Sequence, residues 1–249
     1  MDTSLARVPV GLEGAPGRPS TQEATVSPSH PVYRWFERGG GEPVVLLHGL
    51  MGEPDHWERT LEALAPWCRA IAPQVPILDP AGAEPSVEGL THHVGGFLEA
   101  LDLGPAVVGA TRSVPHLPTT EFLRGKMEEI FYDATLVTPS WVESVRRILT
   151  TRALARRVLH VARSAKRSNL ETRLGEIQVP TLLVWGKDDR ITPPEVAERF
   201  RALLPAAALV FIANCGHAPM LEQPATFNAI IGDWLHETRA QRRAVVVGG

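Results

Sequence analysis

The sequence predicts an α/β fold: a mainly parallel sheet with helices on both faces, interrupted by a helical insertion. Three observations carry that prediction. Short, apolar, β-branched runs such as Pro43-Val44-Val45-Leu46-Leu47 and Thr181-Leu182-Leu183-Val184-Trp185 read as strands buried on both faces. Between such runs lie segments whose apolar residues recur at three and four, the helical period. The two kinds of segment alternate, the mark of βαβ units. With 249 residues, 44 % of them hydrophobic, the chain can build one large core.

Met1 to about Pro31 is rich in Pro, Gly, Ser and Thr without a period, and is expected to be a flexible N-terminal arm. Val32–Glu37 alternates and runs into Gly39-Gly40-Gly41, an edge hairpin strand. After the 43–47 strand, Asp55 is placed to cap a helix, with Glu58 in capping-box position and Trp57, Leu61 and Leu64 on one face. Arg69–Leu78 is expected to hold the next strand, although Pro73 and Pro76 cannot donate to a ladder. Ser86 caps a helix carrying Leu90, Val94, Phe97 and Leu101, and Pro105–Gly109 is another buried strand. Helical periodicity then continues from Thr119 to about Arg173, with Phe122, Phe131 and Trp141 as core and Thr138-Pro139 opening one helix. This block reads as an insertion above the sheet, a lid. Strands return at Val179–Gly186 and Ala208–Ile212, separated by a helix that Thr192 is placed to cap. A final helix carries Phe227, Ile230, Ile231, Trp234 and Leu235. The expected organisation is therefore an arm over 1–31, one domain over 32–237 with the lid at 119–173, and a frayed tail over 238–249.

Lys+Arg 25 against Asp+Glu 28 leaves a net charge of -3, which argues against nucleic acid or an anionic membrane as the main partner. No apolar run reaches membrane-spanning length, and residues 1–21 lack the apolar stretch of a secretory signal. Two cysteines, Cys68 and Cys215, are too few for a disulfide scaffold, so the expected compartment is the reducing cytoplasm.

Three constellations fall at strand ends, where open α/β sheets bind ligands: His48-Gly49-Leu50-Met51-Gly52, Trp185-Gly186-Lys187-Asp188-Asp189-Arg190-Ile191-Thr192-Pro193, and Cys215-Gly216-His217-Ala218-Pro219-Met220-Leu221-Glu222-Gln223-Pro224. From about Val32 to Leu235 the chain resembles the α/β-hydrolase fold superfamily, most closely its lidded esterases and carbon–carbon bond hydrolases. The resemblance implies Asp189 as the catalytic acid, His217 as the base and the backbone N–H of Leu50 as an oxyanion-hole donor. It implies a small apolar ester or ketone-type substrate and no cofactor. An imidazole takes the proton from a weak nucleophile, and a carboxylate on its other nitrogen fixes the tautomer and stabilises the imidazolium.

The family nucleophile belongs in Gly-x-Ser-x-Gly between a strand and a helix. That motif is absent. Counted from Gly109, the nucleophile slot holds Thr111 and the closing-glycine slot Ser113; these are the weak candidates. Pro115 and Pro118 cannot lie inside the helix that should follow. Nine residues separate Gly109 from Thr119, whereas a βαβ unit takes about 30, so the elbow helix and the next strand are expected to be missing. The last two strands then either pair with Pro105–Gly109 or leave a gap that bares apolar surface. Two functional readings stand: a hydrolase of esters or of C–C bonds beside a carbonyl, and a non-catalytic relative that binds without turnover. Among bland alternatives, His48 reads as a loop-shaping residue, Cys215 as a packed thiol, Asp188 as a solvated neighbour, and His92-His93 as too poorly partnered for a metal. The cations around Arg156, Arg157, Arg163 and Lys166 read as a solvated face.

Overall fold

In a computed structural model, the described residues are 21–24, 32–50, 52–79, 82–103, 106–110, 120–168 and 171–246. In chain order they form β1 (Thr21–Ala24), β2 (Tyr33–Arg38), β3 (Pro43–Leu47), a 3-10 turn (Pro54–Trp57), α1 (Glu58–Leu64), β4 (Arg69–Pro73), α2 (Val87–Ala100) and β5 (Val107–Ala110). A helical stretch follows: α3 (Thr120–Glu128), α4 (Pro139–Thr150) and α5 (Arg152–Arg167). The chain ends with β6 (Thr181–Gly186), α6 (Pro194–Leu203), β7 (Ala207–Ile212), α7 (Pro219–Glu222) and α8 (Pro224–Val246).

Five strands form one sheet in the order β1-β2-β4-β3-β5. β3 runs parallel to β4 and β5, and β2 antiparallel to β1 and β4. Along β3 the side chains alternate between faces. Val44 and Leu46 pack with α1, α3, α4 and α8, through Leu61, Leu123, Val142 and Leu235; Val45 packs with Tyr33, Trp35, Ile71 and Phe97 of α2. A third cluster, Leu50, Val75 and Ile77, is covered by Ile148 of α4 and by Val158 and Val161 of α5.

β6 and β7 pair in parallel as a sheet of their own. No strand occurs among the described residues between β5 and β6, and β6 does not pair with β5.

Several local expectations change. Part of the predicted arm, Thr21–Ala24, pairs with Tyr33–Phe36, so β2 is an inner strand. Asp55 is not at the cap position of α1: a 3-10 turn starting at Pro54 leads into α1, which begins at Glu58 with Trp57 as its cap residue and no side-chain cap bond. β4 stops at Pro73, the first residue unable to donate. The tail is helical to Val246, and its start is anchored where Arg239 pairs with Glu42 (2.6 Å) and donates to the Trp67 carbonyl (3.1 Å). The cap at Ser86 (accepting from Gly89 N, 3.0 Å) stands as predicted, and Thr138, expected to open a helix with Pro139, caps it by accepting from Trp141 N (3.2 Å). Phe131 and Trp141 are buried against each other, ring centroids 5.5 Å apart; the Phe122 side chain lies outside the described residues.

Candidate active site

β6 and β7 are parallel neighbours, so their carboxyl ends lie side by side. The turn after β6 carries Asp189 and the loop after β7 carries His217, which brings residues 28 apart into contact. Two glycines permit the approach. A Cβ on Gly186 would run into the carbonyls of Cys215 and Gly216, and a Cβ on Gly216 would run into backbone at Ile130 and Phe131. Three backbone segments therefore stack directly: the β6 turn, the His217 loop and the chain leaving α3. The Asp188 N–H donates to Cys215 O (2.9 Å), and the His217 N–H donates to Ile130 O (2.6 Å).

His217 Nδ1 lies 2.9 Å from Asp189 Oδ2. The carboxylate is satisfied on both oxygens. Oδ1 accepts the N–H groups of Ile191 and Thr192 (each 2.8 Å), and Oδ2 accepts the Thr192 hydroxyl (2.7 Å) as well as the imidazole. Burial pushes the Asp189 carboxyl up, but the hydrogen bonds from His217 and Thr192 outweigh it and hold the group below its ordinary value. Thr192 Oγ1 also lies 3.1 Å from His217 Nδ1. Its one proton goes to the carboxylate, which can only accept, so toward the imidazole the hydroxyl oxygen is an acceptor. Both neighbours thus select the tautomer with the proton on Nδ1 and the lone pair on Nε2.

Thr192 was expected as a helix cap. Instead Pro193 takes the cap position of α6 without a side-chain bond, and the threonine faces the Asp–His pair. Glu222, part of the His217 motif, also has a role that its spacing did not reveal. Its carboxylate accepts the N–H of Gly216 (2.5 Å) and that of Asp133 (2.7 Å), tying the His217 loop to the segment between α3 and α4. Gln223 Nε2 donates to the carbonyls of Ala213 (2.7 Å) and Asn214 (2.8 Å), closing the loop from its other side.

The remaining candidates separate cleanly. His48 Nδ1 donates to Gly49 O (3.0 Å) and Nε2 accepts the Val75 N–H (3.0 Å), an arrangement only a neutral ring can make, and burial pushes its pKa down to about 4. It braces the loop that carries Leu50, whose side chain is buried against Val75 and Ile77. Cys215 is fully buried; burial first, then Glu222, Asp188 and Asp189, push its thiol up to about 12, so it is not a thiolate nucleophile. Thr111 and Ser113 lie outside the described residues. His93 packs its ring on Tyr33 (5.0 Å), and among the described residues no three metal-binding side chains gather.

A family model described as the alpha/beta hydrolase family matches residues 77–230. The chain belongs to the α/β-hydrolase family. It is 34 % identical over 125 residues to a 2-hydroxy-6-oxononadienedioate/2-hydroxy-6-oxononatrienedioate hydrolase of Cupriavidus pinatubonensis, a match covering 47 % of this chain and 42 % of that protein. The match thus spans less than half of that relative's length. A 2-hydroxy-6-oxo-2,4-heptadienoate hydrolase of Pseudomonas putida is 25 % identical over 249 positions, covering 90 % of its own length but only 79 % of this α/β-hydrolase chain. The alignment is longer than the part of the chain inside it, so a stretch of that relative has no counterpart here. Among solved structures, the α/β-hydrolase MGS-MChE2 from a sediment metagenome superposes with a TM-score of 0.70 at 25 % identity, over 88 % of this chain and 99 % of that one.

Proposed function

We propose that this α/β-hydrolase chain hydrolyses a carboxylic ester, or a carbon–carbon bond beside a carbonyl, with His217 as general base. The observation that carries the reading is the Asp189–His217 contact at 2.9 Å with Thr192 alongside, which presents Nε2 as the basic nitrogen. Nε2 takes the proton of an attacking oxygen, which adds to the carbonyl carbon. The backbone N–H of Leu50 stabilises the resulting oxyanion. Collapse expels the leaving group, which receives the proton back from the imidazolium while Asp189 stabilises that cation. Relatives named as hydrolases of 2-hydroxy-6-oxo acids support a carbonyl-bearing small molecule as substrate, and the helices α3–α5 are the candidate lid over it. The attacking oxygen belongs to water, or to Thr111 or Ser113; in the latter case the acyl group is carried on that side chain until a water, deprotonated by Nε2, attacks it in a second round and releases the acid.

A second reading, a non-catalytic relative, is favoured by the absence of Gly-x-Ser-x-Gly from the sequence. Turnover of p-nitrophenyl butyrate by the purified chain separates the two. The hydrolase reading expects turnover that falls at least about tenfold in His217→Ala, in line with the contribution of general-base catalysis. Turnover unchanged by that substitution would reject His217 as the base, and no turnover at all would favour the binding reading. On the second reading a fluorophosphonate probe labels no serine, because the sequence lacks the Gly-x-Ser-x-Gly motif; stoichiometric labelling at Ser113 would reject that reading.

A further inference from the structure

Helix α5 carries a charge pattern that hydrolysis does not use. From Ser144 to Leu170 the sequence holds eight arginines and lysines and no Asp or Glu, in a chain of net charge -3. Three of the eight are occupied: Arg146 with Glu143, Arg147 with Ser144 Oγ, and Arg157 with the carbonyls of Pro76, Ile77 and Ala83. The other five, Arg152, Arg156, Arg163, Lys166 and Arg167, are exposed and form no ion pair with any described residue. At 3.6 residues per turn they fall on one stripe roughly 100° wide and about 22 Å long. The opposite face buries Val158 and Val161. Leu159 lies within the stripe, 37 % exposed.

The composition of this face says what it fits. Like charges at i,i+4, as in Arg152–Arg156 and Arg163–Arg167, work against the helix unless something neutralises them. Four of the five cations are arginines, whose planar fork engages carboxylates bidentately and is enriched at protein interfaces. An exposed leucine ringed by charge supplies an apolar anchor with a polar rim. A bilayer-binding helix would turn its apolar face outward, whereas that of α5 packs inward on Leu50, Val75 and Ile77. Duplex nucleic acid would pair the cations with phosphates but give Leu159 nothing to bury against.

We propose that the outer face of α5 docks an acidic protein segment, a helix presenting carboxylates along about 22 Å around a central apolar residue. The test uses the full chain and a fluorescein-labelled synthetic helical peptide with glutamates at every third and fourth position around one leucine, read by fluorescence anisotropy. Saturable binding that weakens severalfold as salt rises is expected. The Arg156→Glu/Arg163→Glu variant should lose at least about tenfold in affinity. Leu159→Ala should lose roughly threefold, an effect diffuse charge attraction would not produce. Thermal melts check that the variants stay folded; Lys166→Glu/Arg167→Glu replaces the first pair if it does not. The proposal is overturned if a glutamine version of the peptide binds equally well, if Leu159→Ala leaves affinity unchanged, or if phosphatidylserine vesicles or duplex DNA hold the chain more tightly than the peptide.

Discussion

The β3–β4 pair and the β6–β7 pair are written in the same language and end up in different surroundings. Each is a parallel pair of short apolar runs. The inner residues of β3 and β4, Val44, Val45, Leu46, Ala70, Ile71 and Ala72, are buried to 2 % exposure or less. In β6, every residue from Thr181 to Trp185 is only partly buried, and in β7 only Ile212 is buried. The difference lies in the neighbours. β3 sits between β4 and β5 and is covered on both faces, whereas among the described residues β6 has β7 alone. An apolar strand sequence states what a strand needs, and the rest of the chain decides whether it is supplied.

The largest expected effect tests that contrast. Ile71→Ala in β4 should destabilise by about 3 kcal/mol and Leu183→Ala in β6 by only about 1 kcal/mol, because the cost follows burial and the cavity left behind. Urea unfolding of both variants reads this; equal losses would mean β6 is as deeply packed as β4.

Acid should separate the two regions next. The unfolded His48 side chain takes its proton near pH 6.5, the folded one only near pH 4. Between those values the unfolded state binds more protons, so stability falls as pH drops through that window, by roughly 3 kcal/mol for this group across its full width. Asp189 acts in the same direction from a lower starting point. Its folded value lies below its unfolded one, so its contribution is present above the ordinary carboxylate range and is lost only as pH falls through and below that range. The unfolding midpoint measured from pH 7 to 4 should therefore decline, and His48→Gln should flatten the decline. An unflattened profile would move the acid sensitivity away from the Leu50 loop.

A smaller effect is expected at the Asp–His pair. Thr192→Val removes the hydroxyl bonded to Asp189 and should cost about 2 kcal/mol, the range for hydrogen bonds to charged groups, while Thr192→Ser should recover most of it. A loss in Thr192→Ser with none in Thr192→Val would assign the effect to the threonine methyl instead of the hydroxyl.

Much of the architecture is legible in the residues. The Ser86 cap, the helix start at Thr138-Pro139 and the buried character of 43–47 rest on local chemistry that short spacing records, whereas the roles of Asp189 and His217 are implied by the family resemblance of their flanking motifs. Local signals failed where a tertiary partner competed for the same group. Thr192 has cap spacing, but the carboxylate of Asp189 is a better acceptor for its proton than a helix terminus is a donor for its oxygen. Asp55 has cap spacing too, but Pro54 opens a 3-10 turn first. Glu222 is spelled out in the His217 motif, yet its partners, Gly216 and Asp133, come from loops that only the fold brings together. The strand at Thr21–Ala24 has no periodicity of its own and exists because β2 offers a ladder.

The proposed function stands on His217 being held by Asp189 through Nδ1, with Nε2 as the proposed base. Nitrogen-15 NMR of the histidine rings at pH 8.5, with His217 assigned by its absence in His217→Ala, observes this directly. A protonated Nδ1 and a bare Nε2 are expected, the Nδ1 proton shifting upfield in Asp189→Asn. A His217 ring with its proton on Nε2 would contradict the account.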